Sequence, residues 1–238
     1  MRPKIYLFGD SITEQSFADG GWGASLTNHF SRTADVVLRG YSGYNTRWAL
    51  KVMEKVFPVA AGGGAPLAVT VFFGANDASL PDRSSGFQHV PLDEYKLNLL
   101  AIVAFLKKQW PSTRIILIAP PPIDEDARLL YPYVDNPSGL PERTNEAAGR
   151  YAQECVAVAA ECGVPAINLC EKMQQLPGWK KAYLCDGLHL TQSGNKFVFG
   201  EVIKRLSEEQ ISLETLPADL PLISELDTND PLKSFEKI

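Results

Sequence analysis

Ser11, Asp186 and His189 are the residue types that acyl transfer needs. A serine hydroxyl is a weak nucleophile until a neighbouring base takes its proton. Histidine suits that task because its ordinary pKa lies near neutrality. Its other ring nitrogen needs an acceptor that fixes the tautomer and stabilises the imidazolium. Asp186 stands three residues before His189, a spacing at which one helical turn would put both on one face. A tetrahedral oxyanion also needs donors already in place. The backbone N–H groups of Ser11 and Gly43 and the side-chain amide of Asn76 are the candidates.

These residues are far apart in sequence, so the fold must bring them together. Apolar runs of strand length, Lys4–Phe8, Asp35–Leu38, Leu67–Phe73, Arg114–Ala119 and Val164–Leu169, alternate with stretches of helical period. Helices are expected over Trp48–Val56, Leu92–Gln109, Thr144–Cys162 (stopped by Gly163) and Gly194–Leu206. The alternation predicts an α/β fold, a three-layer α/β/α sandwich with a five-stranded parallel sheet in the flavodoxin-like order 2-1-3-4-5. In such a sheet the loops after the strands emerge at one edge. Asp10-Ser11, Tyr41–Asn45, Gly74–Asp77 and Asp186–His189 are read as following the first, second, third and fifth strands. The connections Ala75–Pro91 and Pro120–Pro141 are longer than most βα loops and mark the ligand-binding edge.

With those blocks in view, the chain resembles the GDSL/SGNH hydrolases. Gly9-Asp10-Ser11-Ile12 is similar to their first block, with Ile12 where the family name implies Leu. Gly43 resembles the glycine of the second, Gly74-Ala75-Asn76-Asp77 the G-x-N-D block, and Asp186-Gly187-Leu188-His189 the D-x-x-H block. The stretches RPKIYLFGDSITE, GGWG (Gly20–Gly23) and RGYSGYNTRWAL (Arg39–Leu50) look most like the isoamyl-acetate-hydrolysing esterases and their plant relatives. The resemblance implies a serine esterase acting on short acyl esters of small alcohols. Carbohydrate O-deacetylation, thioester or lysophospholipid hydrolysis, and acyl transfer to another acceptor stay open. Trp22, Tyr41, Tyr44 and Leu188 flank the blocks and are candidates to line an acyl pocket. No metal or organic cofactor is called for.

Two other classes compete. Asp10, Asp77 and Asp186 at strand ends could hold Mg²⁺ in a phosphatase, but the second aspartate that a haloacid-dehalogenase-type site wants two residues after Asp10 is Ile12. A flavodoxin-like binding module would want a phosphate loop where Asp10 and Glu14 make the first loop acidic. Ser42 lacks the G-x-S-x-G surroundings of an α/β-hydrolase nucleophile. His29 and His89 have no chemical partner at a useful spacing and read as surface or packing residues.

Composition fits this picture. The 238 residues are 45% hydrophobic and 21% charged, ordinary for a globular chain. A formal net charge of −5 disfavours nucleic acid and anionic membranes as partners and leaves a small ester as the expected one. The four apolar residues Ile5–Phe8 are too few for a signal-peptide core, and no run approaches the roughly 20 apolar residues of a membrane span. A cytoplasmic protein without membrane insertion is expected. Cys155, Cys162, Cys170 and Cys185 have no C-x-x-C spacing and read as buried free thiols. The hydrolase domain is read as 1–206. The acidic, proline-containing tail 207–238 carries enough apolar residues to wrap that domain or to join a partner subunit in a homodimer.

Overall fold

The computed structural model describes residues 2–58, 64–132 and 135–236. Its sheet has five strands: β1 (Lys4–Gly9), β2 (Asp35–Gly40), β3 (Ala68–Phe72), β4 (Arg114–Ile118) and β5 (Ala166–Ile167). All pair in parallel, in the order β2-β1-β3-β4-β5. The chain reverses its direction of growth between β1 and β3, so their carboxyl ends flank the crevice where sheets of this kind bind ligands. β3 is buried at every residue, as its unbroken apolar run requires. β5 is only two residues long, shorter than the run Val164–Leu169 suggests.

The helices are α1 (Ser11–Glu14), α2 (Trp22–His29), α3 (Thr46–Val56), α4 (Leu92–Gln109), α5 (Glu125–Leu130), α6 (Asn145–Cys162), α7 (Leu169–Gln174), α8 (Trp179–Tyr183) and α9 (Gln192–Glu208). The strand period of two sorts side chains to two cores. Phe8, Val69, Val71, Ile115 and Leu117 face one side and pack against α3, α4 and α6. Ile5, Leu7, Phe72, Ile116 and Ile118 face the other, beneath Trp22 and Leu26 of α2 and Val198, Val202 and Leu206 of α9. Helix ends obey local rules. Thr144 caps α6 by accepting the Ala147 N–H at 3.1 Å, and Gly163 ends it in the left-handed conformation at φ 61°.

The Asp186–His189 segment departs from the sequence reading. It does not follow β5 directly, because α7 and α8 intervene and place it in the loop before α9. The thiols also divide: Cys155 and Cys170 are buried, Cys162 is half-buried and Cys185 is exposed. After α9 the chain returns to the domain. Ile211 is buried, Asp219 donates its N–H to Arg32 O at 2.9 Å, and its carboxylate meets Arg2 at 2.8 Å and Arg32 at 3.2 Å. Farther on, Ile223 and Leu232 are exposed.

Candidate active site

Ser11 opens α1, two residues past the end of β1. The turn is tight: a Cβ on Gly9 would stand 2.5 Å from Phe72 O. Asp10 caps the helix, its Oδ1 accepting the Ile12 N–H at 3.0 Å. The Ser11 N–H lies in the first turn, where no intrahelical acceptor exists. Ser11 Oγ sits 2.8 Å from His189 Nε2, and His189 Nδ1 sits 2.7 Å from Asp186 Oδ2. An ionised Asp186 makes Nδ1 the donor, which leaves Nε2 free to accept the serine proton.

No helical turn joins Asp186 to His189. Asp186 Oδ1 accepts the backbone N–H groups of Leu188 at 2.9 Å and His189 at 2.7 Å, forming an Asx-type turn around Gly187. Gly187 has φ +86°, and a Cβ there would lie 2.4 Å from Asp124 O. Burial tends to raise the Asp186 carboxyl, but the His189 ring and the two backbone N–H donors outweigh it and hold the group well below the usual carboxylate range.

Asn76 and Gly43 stand across from this pair. Asn76 Nδ2 donates to Tyr44 O at 2.9 Å and its Oδ1 accepts from Arg143 Nη2 at 3.1 Å, so one amide N–H is left over. Gly43, at φ 79°, accepts at its carbonyl from Gln88 Nε2 at 2.9 Å. Its own N–H has no partner among the described residues. Ser11, Gly43, Asn76, Asp186, Leu188 and His189 all line one cavity of about 280 Å³. This arrangement can deprotonate a serine, receive an oxyanion and return the proton to a leaving group.

The other expected pocket residues lie elsewhere. Trp22 is fully buried beneath α1, donating Nε1–H to Ile12 O at 3.1 Å and packing on Phe72, and it does not reach the cavity. Tyr41 and Tyr44 form a tilted pair with centroids 5.3 Å apart, behind the Gly43 loop rather than on the cavity wall. Of that set only Leu188 is on the wall. Ser42 lines it too, through a loop pinned by its N–H to Glu14 Oε2 at 2.7 Å. His29 packs against Phe30 and Phe199, and His89 Nδ1 lies 2.6 Å from Ser79 O.

The three aspartates weighed as metal ligands have separate duties. Asp186 serves His189. Asp10 caps α1, and Asp77 accepts from the Thr46 N–H at 3.0 Å and from the Thr46 hydroxyl. Burial raises both Asp10 and Asp77 to about 7 against the hydrogen bonds that lower them. Among the described residues no group of three His, Cys, Asp or Glu side chains is placed to hold a metal.

Sequence reasoning passed over Arg128 and Arg143. Arg128 Nη1 reaches Asp186 Oδ2 at 3.0 Å and Asp186 O at 3.1 Å, while Arg143 Nη2 bonds Gln88 Oε1 at 2.7 Å as well as Asn76. The one signal available was location, since Gln88 and Arg128 sit in the two long connections that follow β3 and β4.

Comparison with known proteins agrees with the fold and the blocks. The GDSL-like Lipase/Acylhydrolase family profile matches residues 7–197. A GDSL esterase/lipase of Arabidopsis thaliana is 66% identical over 100% of this chain and 99% of its own. The human isoamyl acetate-hydrolyzing esterase 1 homolog is 42% identical over 92% of this chain and 86% of its own. A lipase/acylhydrolase from Enterococcus faecalis superposes with a TM-score of 0.68 at 25% identity, covering 93% of this chain and 100% of that one. An acetylxylan esterase from Geobacillus stearothermophilus shares the fold at 19% identity and TM-score 0.64, over 87% of this chain and 95% of its own. No helix among the described residues is long and apolar enough to cross a membrane. The chain belongs to the GDSL-like lipase/acylhydrolase family and is a carboxylic ester hydrolase.

Proposed function

We propose that this esterase works through an acyl-enzyme on Ser11 and prefers short acyl esters, acetyl above all, of small alcohols. The observation that carries the reading is the unbroken relay from Ser11 Oγ to His189 (2.8 Å) to Asp186 (2.7 Å) at the wall of a cavity of only about 280 Å³. Ligand pockets in general run from about 300 to 1,000 Å³, so this cavity stands at the small end. The human relative's name, isoamyl acetate-hydrolyzing esterase 1 homolog, points to the same substrate class.

His189 Nε2 takes the Ser11 proton as Oγ attacks the ester carbonyl. The oxyanion is received by the N–H groups of Ser11 and Gly43 and the spare N–H of Asn76. Collapse expels the alcohol, which takes the proton from His189. Water, deprotonated by the same imidazole, then attacks the acyl carbonyl and frees Ser11. A reducing, cytoplasmic setting is part of the proposal, supported by four cysteines that are all free.

The test is hydrolysis of p-nitrophenyl esters from acetate to decanoate by wild-type and Ser11→Ala protein, with and without EDTA. Serine-dependent, EDTA-insensitive turnover that falls as the acyl chain lengthens is expected. Turnover surviving Ser11→Ala would overturn the mechanism, and a preference for decanoate would overturn the substrate class.

A further inference from the structure

Glu142 immediately precedes Arg143 and is fully buried. Its Oε1 accepts three N–H groups: Arg128 Nε at 2.8 Å, Arg128 Nη2 at 2.6 Å and Arg143 Nη1 at 3.0 Å. Each guanidinium reaches on to a different half of the active site. Arg128 ends on the Asp186 carboxylate at 3.0 Å, on the same oxygen that faces His189 Nδ1. Arg143 ends on Asn76 Oδ1 at 3.1 Å and on Gln88 Oε1 at 2.7 Å, and Gln88 in turn holds the Gly43 carbonyl. A continuous line of charge-assisted hydrogen bonds thus runs from the base to the oxyanion donors.

Both ends of this line need one orientation out of two. The Asn76 amide presents N–H to the cavity only while its oxygen faces Arg143, because a flipped amide would set its NH₂ against a guanidinium. Asp186 must likewise keep one oxygen for the imidazole and the other for its own turn. Burying two guanidiniums side by side is unfavourable unless a carboxylate neutralises them. Burial lowers Arg143 to about 10, and the Glu142 charge acts against that fall.

We propose that Glu142 is a positioning residue for ester hydrolysis, holding Arg128 and Arg143 on one oxygen so that Asp186 and the Asn76 amide are set together. The role rests on the reading of Ser11 as nucleophile and Asn76 as oxyanion donor. Glu142 touches no reacting atom and acts through the two arginines.

Glu142→Gln probes this directly. Glutamine keeps the shape but removes the charge that holds the two buried guanidiniums side by side, and Glu142 Oε2, which it would replace with NH₂, has no partner among the described residues. With p-nitrophenyl acetate, kcat should fall ten- to a hundredfold with KM within threefold of wild type and an unchanged circular dichroism spectrum. Coupling supplies the readout that simple loosening would not move. Asn76→Ala should cost about 100-fold in kcat in the wild type and under tenfold in the Glu142→Gln background, since the amide is already misplaced there. Multiplicative losses, or kcat within threefold in folded Glu142→Gln protein, would overturn the proposal. Should Glu142→Gln not fold, Arg143→Lys decides the matter. Its single ammonium can pair with Glu142 but cannot fork to Asn76 and Gln88. The same selective loss of kcat is expected, and kcat within threefold would overturn the idea. Ser11→Ala run in parallel separates the two readings. Activity in Ser11→Ala would mean the nucleophile is wrong, whereas a dead Ser11→Ala beside a near-normal Glu142→Gln would mean only the positioning role is wrong.

Discussion

Asp186 grips His189 twice, through Oδ2 to the ring Nδ1 at 2.7 Å and through Oδ1 to the backbone N–H at 2.7 Å. One carboxylate therefore shapes the loop and orients the imidazole that the loop presents. Turning the ring away from Ser11 would break the Oδ2–Nδ1 bond, while the turn itself is held by Oδ1.

Ser11→Ala and His189→Ala should each lower kcat by at least about 10³-fold, because the proposed mechanism makes them members of one catalytic unit. Asp186→Ala should lose less, since the imidazole can still act in a fraction of its orientations. Initial rates on p-nitrophenyl acetate would check the ranking. A Ser11→Ala protein with wild-type turnover would end the assignment.

Gly187→Ala tests the loop itself. At φ +86° a side chain is strained, and its Cβ would sit 2.4 Å from Asp124 O. The Asx turn should open and kcat should drop at least about tenfold, a loss of about 1.4 kcal/mol in transition-state stabilisation. Unchanged kcat would show that the turn tolerates other backbone conformations.

Asp10 and Asp77 predict a pH dependence of stability. Burial raises each from 3.8 to about 7. Between those values the folded protein keeps protons that the unfolded chain has released. Their contribution is therefore full below about 3.8 and is lost as pH rises toward 7. Asp186 is shifted the opposite way, so its contribution is present above 3.8 and lost as pH falls below that value. Asp77→Asn retains an oxygen for Thr46 and removes one titration. Urea midpoints from pH 4 to 8 should then decline less steeply than in the wild type; an equal slope would contradict the shift.

Trp22→Ala should destabilise the fold by about 3–5 kcal/mol, the range for deleting a buried aromatic. It should also free the Ile12 carbonyl under α1. The ratio of mutant to wild-type KM should be nearly the same for acetate, butyrate and hexanoate esters. A ratio that shifts with chain length would return Trp22 to the acyl pocket.

Much of this molecule is written locally. The strand runs and the ends of α4 and α6 follow from period, capping and Gly163, which act over a few residues. Alternating strands and helices point to a parallel sheet, and the order β2-β1-β3-β4-β5, one of several that right-handed crossovers allow, agrees with the flavodoxin-like order expected. Ser11, Gly43, Asn76, Asp186 and His189 were legible because each lies in a short block of recognisable type. The short helices were not. α5, α7 and α8 span five or six residues, too few to show a period. α2 contains Gly23, Ser25, Thr27 and Asn28, poor helix formers, and is held by packing on the sheet and α9.

The spacing of Asp186 and His189 allowed two geometries, and the carboxylate's bonds to its own backbone, with Gly187 at positive φ, selected the turn over the helix. Trp22 was misplaced because an aromatic beside a motif looks alike whether it faces substrate or core. Burial against Phe72 decides that, and burial is a property of the packed layers. The Glu142 network had no sequence signal, since charged loop residues are ordinarily solvated. Its members are 14 and 58 residues apart along the chain, measured from Arg128 to Glu142 and to Asp186. Residue types and local spacing thus determined the chemistry available and the elements that carry it. Which side chains share a low-dielectric interior, and so orient one another, was decided only when the loops after β1, β3 and β4 met the loop before α9.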